Sequence, residues 1–518
     1  MDTQLIAALR KVLGRETGQS IELIETHLSW ILLAPRYAYK LKKPVRLPFV
    51  DFRSVQARKH FCDEELRLNR RFAPGIYLDV VPVRGTRKAP RLDGSGAGGI
   101  IDHAVRMRRF PQSSLLRSLL VSGGLEPVWL DVLARHLADL HAAAARSPSP
   151  GWGSPQRIFR SAADVLASLQ AQREDPRCDA LSVWLAAQGA AMPSTWSARQ
   201  RSGSIRECHG DLHMGNVALI DGQLTPFDCL EFDPGLRWID VMSDVAFLTM
   251  DLKAHGRADL AFRFLDTWLQ CSGDHAGLSV LPFYEVYRAL VRAMTCALSK
   301  TPPAQKPVPD YLACAAQWAA PARGSARLLI THGMSGSGKS TLAAQLLRAA
   351  QAIRIRSDVE RKRLFGLAAL EGSAALGLDI YTPQATNDTF DSLWHRARDA
   401  LKAGYPVIVD AVFSQAGERR RFQALAAELR VPFSILDCQA SPDTLRQRVM
   451  SRAASAMDAS EAGLEVLERQ LATRQALQAD ERVFAIEVST ESPVDMGALV
   501  AHWQAAPMLA SPGPAGSA

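Results

Sequence analysis

No two cysteines in this chain stand close enough to form a metal knuckle. The eight, Cys62, Cys178, Cys208, Cys229, Cys271, Cys296, Cys314 and Cys438, are scattered, with no CxxC pair and no Cys/His cluster. Their spacing excludes zinc-finger patterns and the dense bridging of small secreted domains. Also absent is any run near the roughly 18 apolar residues that a membrane span requires. The opening Met1-Asp2-Thr3-Gln4 has no basic segment leading into an apolar one, so a cytoplasmic setting without a membrane partner is expected. There is no Lys/Arg run interleaved with aromatics of the kind that grips single strands, and no repeat period.

What is present is ordinary in bulk and specific in its motifs. The 518 residues suggest two or three domains, and 47% hydrophobic with 22% charged residues is a globular composition. The formal charge of +8 is mostly an arginine excess, and arginines line pockets that hold phosphate groups. A proline-rich break at Thr301–Pro309, followed by an Ala-rich helical stretch, sets an expected boundary at 321/322. The expected division is a domain over 1–321, a second over 322–505, and a disordered tail over 506–518. In the first part, Ile21–Leu33 and Ala38–Lys42 read as strands; Ser54–Phe72, Trp129–Ala145 and Pro282–Ser299 read as helices. In the second part, the apolar segments Leu328–Thr331, Val407–Asp410 and Phe433–Asp437 alternate with helices. The expected class is α/β: a two-lobed α+β domain, then a domain with a parallel sheet.

The segment Gly333-Met334-Ser335-Gly336-Ser337-Gly338-Lys339-Ser340-Thr341 follows an apolar strand and precedes a helix. This is G-x-x-x-x-G-K-[ST] in its required setting. Glycines let backbone N–H groups converge on phosphate oxygens, Lys339 reaches the β- and γ-phosphates, and Ser340 places its hydroxyl on Mg²⁺. A second strand ends at Ser357-Asp358. There Asp358 is a candidate proton acceptor and Arg361 a candidate holder of an acidic group, with a helix cap and solvated arginines as the alternative. Val407–Asp410 has the apolar-run-then-Asp form that puts Asp410 on the metal. Arg446, Arg448 and Arg452 run along one helix as candidate lid arginines over ATP, with a solvated arginine face as the alternative. Together these residues resemble the small P-loop kinases: gluconate kinases, polynucleotide 5′-kinase domains and zeta-toxin-like kinases. The resemblance spans about residues 326–500 and implies ATP, Mg²⁺ and a hydroxyl-bearing acceptor.

In the first part, His209-Gly210-Asp211-Leu212-His213-Met214-Gly215-Asn216 leads into a short hairpin that ends near Asp228. The spacing matches the kinase catalytic loop, with Asp211 as base and Asn216 and Asp228 as metal ligands. This part resembles the aminoglycoside phosphotransferase and choline kinase group over about residues 20–300. The resemblance implies a lysine on an early strand and a glutamate on the next helix. Lys40 with Glu65 is the first choice, and Lys42 and Glu64 stay open as alternatives. No glycine-rich G-x-G-x-x-G precedes Lys40. Asp240 and Asp244 are expected to share a helix face and to brace the loop or cap the helix. As a whole, the chain resembles bacterial bifunctional aminoglycoside phosphotransferase/ATP-binding proteins.

Three functions follow for test. The first is a small-molecule kinase with one or two active sites. The second is a regulatory ATPase whose first domain is a platform. The third, disfavoured by the missing aromatic–basic stretch, is a nucleic-acid end kinase.

Overall fold

The computed structural model describes residues 2–47, 50–92, 98–172, 174–298, 308–320, 325–373, 380–453 and 460–507, without the side chains of residues 2, 452 and 453. Most of the proline-rich break and the tail from residue 508 therefore lie outside the described residues. The chain divides into two compact units. The first comprises residues 1–174, 185–251 and 291–309; the second comprises 175–184, 252–290 and 310–518. The expected boundary at 321/322 and this division differ. The segment 252–290 groups with the P-loop unit rather than with the sequence that precedes it.

The first unit is built on a six-stranded antiparallel sheet. Its strands are β1 Glu22–Glu25, β2 Ser29–Leu33, β3 Tyr37–Lys42, β4 Tyr77–Thr86, β5 Ala89–Arg91 and β6 Ile100–Arg108, in the order β1-β2-β3-β6-β4-β5. The expected single strand Ile21–Leu33 is in fact a hairpin: Glu25 pairs with Trp30, and Thr26 turns the chain by bonding to Ser29. One face of the sheet is covered by α1 Asp2–Thr17, whose Leu5, Ile6, Leu9 and Leu13 recur at helical spacing and are buried against Leu32, Leu41 and Ala104. Each such leucine contributes about 2 kcal/mol. Against the other face lies α2 Val55–Asn69, which starts where the Ser54 hydroxyl accepts the Ala57 N–H. Its buried stripe of Arg58, Cys62, Glu65, Leu68 and Asn69 points Glu65 at β3.

The second unit holds a five-stranded parallel sheet. Its strands are β7 Arg327–His332, β8 Ile353–Arg356, β9 Pro406–Asp410, β10 Phe433–Gln439 and β11 Ala485–Ser489, in the order β8-β9-β7-β10-β11. The inner strands are continuous apolar runs because helices cover both faces. The order puts β9, which ends in Asp410, directly beside β7, which feeds the P-loop. The helix Ala258–Ser272 belongs to this unit, and its Asp266 forms a buried ion pair with Arg354 of β8 (2.8 Å).

Below that helix, His275 is buried with its Nδ1 2.9 Å from Arg396 Nη1, which donates to it. Burial and the facing Arg396 and Arg363, opposed by Glu360, push its pKa down to about 4. The unfolded chain therefore binds this proton from about pH 6.5 downward and the folded chain only near pH 4. Stability falls as pH drops through that window, by about 3 kcal/mol at most. His275→Gln is expected to flatten this part of the pH–stability curve in denaturant titrations; an unchanged slope between pH 6.5 and 4 would refute the assignment.

Among the described residues no helix is long and apolar enough to cross a membrane.

Candidate active sites

The P-loop of the second unit is shaped by its glycines. Gly333 has φ 137° and Gly336 φ 83°, values that side chains other than glycine's rarely adopt. A Cβ on Gly333 would meet the Cys438 carbonyl at 2.6 Å, and one on Gly336 would meet the Leu445 carbonyl at 2.7 Å. The loop runs into the helix Lys339–Ala350, so the N–H groups of that helix's first turn point toward the loop. Lys339 Nζ donates to the Met334 carbonyl (2.9 Å), which arches the side chain over the loop. Ser340 Oγ donates to Asp410 Oδ1 at 3.1 Å. The other oxygen, Asp410 Oδ2, is buried without a hydrogen-bond partner; the guanidiniums of Arg356 and Arg354 stand 3.6 and 3.8 Å away, too far to bond.

Gly336, Lys339, Ser340 and Asp410 line a cavity of about 460 Å³ together with Asp358, Arg361, Tyr381 and Glu418. Asp358 is half-buried in the first turn of the helix Ser357–Leu364, and the cap of that helix is Arg356. Neither Ser357 nor Asp358 caps it with a side chain. Arg361 is buried, donates from Nη1 to the Ile380 carbonyl and Thr386, and lies 5.1 Å from the Tyr381 ring centre. Burial pushes its pKa down, and Asp358 is the first of the groups that counter it. A neighbouring pocket of about 350 Å³ shares Gly338, Thr341 and Arg448 with the cavity and is closed by Thr490 and Pro493. Arg448 donates to the Gly336 carbonyl (3.3 Å) and twice to Thr490, so it joins both spaces. Arg446 is half-exposed and paired with Glu468. Met334, Ser335, Ser337 and Thr341 complete the loop, with the Ser335 N–H donating to Gln470 and the Ser337 hydroxyl buried without a partner. The side chain of Arg452 lies outside the described residues.

In the first unit, β3 and α2 bring a charge cluster together. Lys40 Nζ is 2.8 Å from Glu65 Oε1, an ion pair without hydrogen-bond alignment, and it donates to Asp228. Lys42 sits two residues along and donates to both Glu65 and Glu231. The choice between Lys40 and Lys42 is thus resolved by sharing: Glu65 takes both, and Glu64 instead meets Arg67 and Arg237. Burial alone would raise the Glu65 pKa, but the two ammonium groups outweigh it and hold it at about 2. Asp228 has φ 64°, a left-handed conformation that aspartate tolerates, and its N–H donates to the Tyr77 hydroxyl (3.1 Å).

The His209–Asn216 loop is held from behind. Asp244 accepts the His209 and Gly210 N–H groups (2.8 Å each) and lies 3.3 Å from His141 Nε2. Asp240 is not on its helix face. It ends the strand Trp238–Asp240, pairs with Arg199 and accepts the Met242 N–H. Asn216 Nδ2 donates to the Asp211 side chain (2.9 Å) and backbone, which leaves its carbonyl oxygen outside those bonds. Burial disfavours the Asp211 carboxylate, but His213 and Arg292 reverse that and hold its pKa well below the usual range.

Two phosphate-transfer architectures on one chain define an ATP-dependent phosphotransferase. The phosphotransferase enzyme family model matches residues 51–273, and an AAA domain model matches residues 328–477. The uncharacterized protein Rv2004c of Mycobacterium tuberculosis is 30% identical over 455 residues, covering 85% of this chain and 88% of that protein. The chain belongs to the family of that mycobacterial protein. Among solved structures, a putative kinase from Chloroflexus aurantiacus is similar at 21% identity, covering 34% of this chain and 96% of its own, with TM-score 0.28. A choline/ethanolamine kinase family protein from Mesorhizobium loti is similar at 13% identity, covering 61% and 92%, with TM-score 0.37.

The residues present fit the ATP and Mg²⁺ such a protein uses. The P-loop glycines leave a cradle that a Cβ would fill, and the Asp410 oxygen that makes no hydrogen bond, next to Ser340, is a donor of the kind a hard cation takes. Sequence reading missed Glu231, Tyr77 and Asp244's partner His141 in the first unit, and Arg354, Asp266 and Tyr381 in the second. No local motif marks them, since each meets the site across the fold.

Proposed function

We propose that the chain transfers the γ-phosphoryl group of ATP to a hydroxyl of a small molecule in the cavity of the second unit. A second transfer site of the same kind would be formed by Asp211, Asn216, Asp228 and Lys40. One observation carries the first assignment. A single cavity is lined by the phosphate-cradling candidates Lys339 and Ser340, the metal-ligand candidate Asp410 and a separate carboxylate, Asp358.

In this reading the P-loop N–H groups and Lys339 bind the β- and γ-phosphates, and the adenine side occupies the pocket bounded by Arg448 and Thr490. Ser340 and Asp410 would hold Mg²⁺, which supplies charge neutralisation across the phosphates. Asp358 accepts the proton of the acceptor hydroxyl. The acceptor oxygen then bonds to the γ-phosphorus as the bond to the β–γ bridging oxygen breaks, releasing ADP. In the first unit Asp211 orients the acceptor hydroxyl; its depressed pKa makes it a weak base, suited to a transition state in which proton transfer comes late.

The test is ATP turnover and product mass with a pooled metabolite library, for wild type, Lys339→Ala and Asp211→Ala. Loss of a different stimulated activity in each variant is the expected result. If Lys339→Ala alone matters and no pool stimulates turnover, a regulatory ATPase replaces this reading. One feature favours that alternative: the β1–β2 turn, Thr26-His27-Leu28, has no glycine to let the backbone close on phosphates.

A further inference from the structure

The lysine that meets Glu65 is doubled in this protein, and the two copies stand in different surroundings. Lys40 is 7% exposed and reaches two carboxylates, Glu65 at 2.8 Å and Asp228 at 2.5 Å, and the Asp228 side chain is itself 41% exposed. Lys42 is only 1% exposed. It donates to Glu65 and Glu231, and the buried Phe52 ring lies 5.9 Å from its Nζ. Burial works against an ammonium there, but Glu231 and Glu65 reverse that and keep it charged. Enclosed in this way, Lys42 cannot meet a ligand. Burying an ammonium and a further carboxylate is costly, and a single lysine–glutamate pair needs neither Lys42 nor Glu231.

The need for them appears when Lys40 is put to use. At the first-unit site Lys40 has to turn toward phosphate oxygens, the more so because the β1–β2 turn has no glycine to help grip them. If Lys40 alone held Glu65 and Asp228, that move would strand a fully buried glutamate and untie α2 from the Asp228 segment. Lys42 bridges the same two pieces of backbone at greater depth: Glu65 belongs to α2, and Glu231 lies three residues past Asp228. A second link runs beside it. Asn69, the last residue of α2, accepts the Cys229 N–H at 2.8 Å and donates to the Glu65 carbonyl at 2.9 Å. Arg237 holds the Glu231 carbonyl from the other side.

We infer that Lys42 and Glu231 are positioning residues of the first-unit ATP site, a clasp that keeps Glu65 and Asp228 in register while Lys40 leaves them for a phosphate. This rests on the phosphotransfer reading of Asp211 and its neighbours, and it divides the work of one kinase lysine between two.

The experiment compares Lys40→Met, Lys42→Met and Lys42→Met/Glu231→Met in the full chain. The double variant removes both ends of the added ion pair and strands no charge between them, so it is expected to fold with a urea midpoint near that of wild type. The first readout is hydrogen exchange of peptides covering residues 55–69, without nucleotide and with ATP and Mg²⁺. Both Lys42 variants should exchange about 100-fold faster there even without nucleotide, while Lys40→Met keeps wild-type protection and loses only the gain that ATP brings. The second readout is Asp211-dependent ATP turnover in a Lys339→Ala background. The double variant should raise KM for ATP about 10-fold with kcat nearly held, as when a competent state becomes less populated. Lys40→Met should instead lower kcat. Glu231→Gln, the milder change, should give the signs of the double variant at smaller size. Loosening of α2 by Lys40→Met but not by Lys42→Met, or wild-type exchange and KM in the double variant, overturns the clasp and leaves phosphotransfer standing. Absence of any Asp211-dependent turnover in otherwise unaltered chain removes the first-unit transfer reading instead, and the exchange comparison still decides which lysine holds α2.

Discussion

Asp410→Asn is expected to lower ATP turnover at the P-loop site by about 10²–10³-fold, the scale typical of removing one preorganised charge partner from a transfer site. The reasoning starts from the two oxygens. Oδ1 accepts the Ser340 hydroxyl and so fixes the rotamer of the second metal-ligand candidate; Oδ2 is buried and makes no hydrogen bond, which leaves its lone pairs for a cation. An amide has the same shape but half the hard-oxygen capacity and no charge. It would also remove the negative charge that the guanidiniums of Arg354 and Arg356 approach to 3.8 and 3.6 Å. Both changes act in the same direction, weakening cation binding. The measurement is turnover against Mg²⁺ concentration. A variant that recovers wild-type kcat with a wild-type Mg²⁺ midpoint would remove Asp410 from the metal site. Asp211-dependent activity should be unaffected by this change.

Glu65→Gln is expected to destabilise the first unit by about 3 kcal/mol or more, the cost typical of leaving a buried charge without its partner. Glu65 is fully buried and answers two ammonium groups at once. Asp228 and Glu231 remain as partners for Lys40 and Lys42, which limits the loss without cancelling it. Because the chain contains two units, a single unfolding midpoint is a poor readout. Hydrogen exchange of peptides covering residues 37–69, beside a urea titration, localises the effect. Unchanged protection there would show that Asp228 and Glu231 suffice. The sign of the pH dependence follows from the same cluster. With the Glu65 pKa depressed to about 2, its contribution is fully present above the ordinary carboxylate range. That contribution disappears only as pH falls from about 4.5 toward 2.

Sequence legibility was uneven for a physical reason. The P-loop and the His209–Asn216 loop were readable because backbone geometry forces their residue types into a fixed local spacing. The parallel sheet was readable because buried strands must be continuous apolar runs. The hairpin at Ile21–Leu33 was not, since Thr26 turns the chain through a side-chain bond that no glycine or proline announces. Nor was the sharing of Glu65 by two lysines. Residues two apart on a strand point the same way, and only the third partner, Glu231, about 190 positions later, shows why both are charged. Asp266 is the extreme case: nothing around it suggests a phosphate site, because the residue it serves, Arg354, arrives on a strand from the far side of the proline-rich break.

That ion pair has a consequence for how the protein can be divided. Arg354 Nη1 also donates to the Ser340 carbonyl (3.1 Å), so Asp266 stands one residue removed from the phosphate loop itself. The helix Ser357–Leu364 is tied to the same stretch, Arg363 donating to the Gln270 carbonyl. A gene fragment starting at the proline-rich break would encode every recognised P-loop motif. It would nonetheless omit the Arg354 counter-ion and the anchor of the helix Ser357–Leu364. The visible motif boundary is thus the wrong place to cut, and the P-loop portion is not a cassette that recombination or cloning can move intact without residues 252–290.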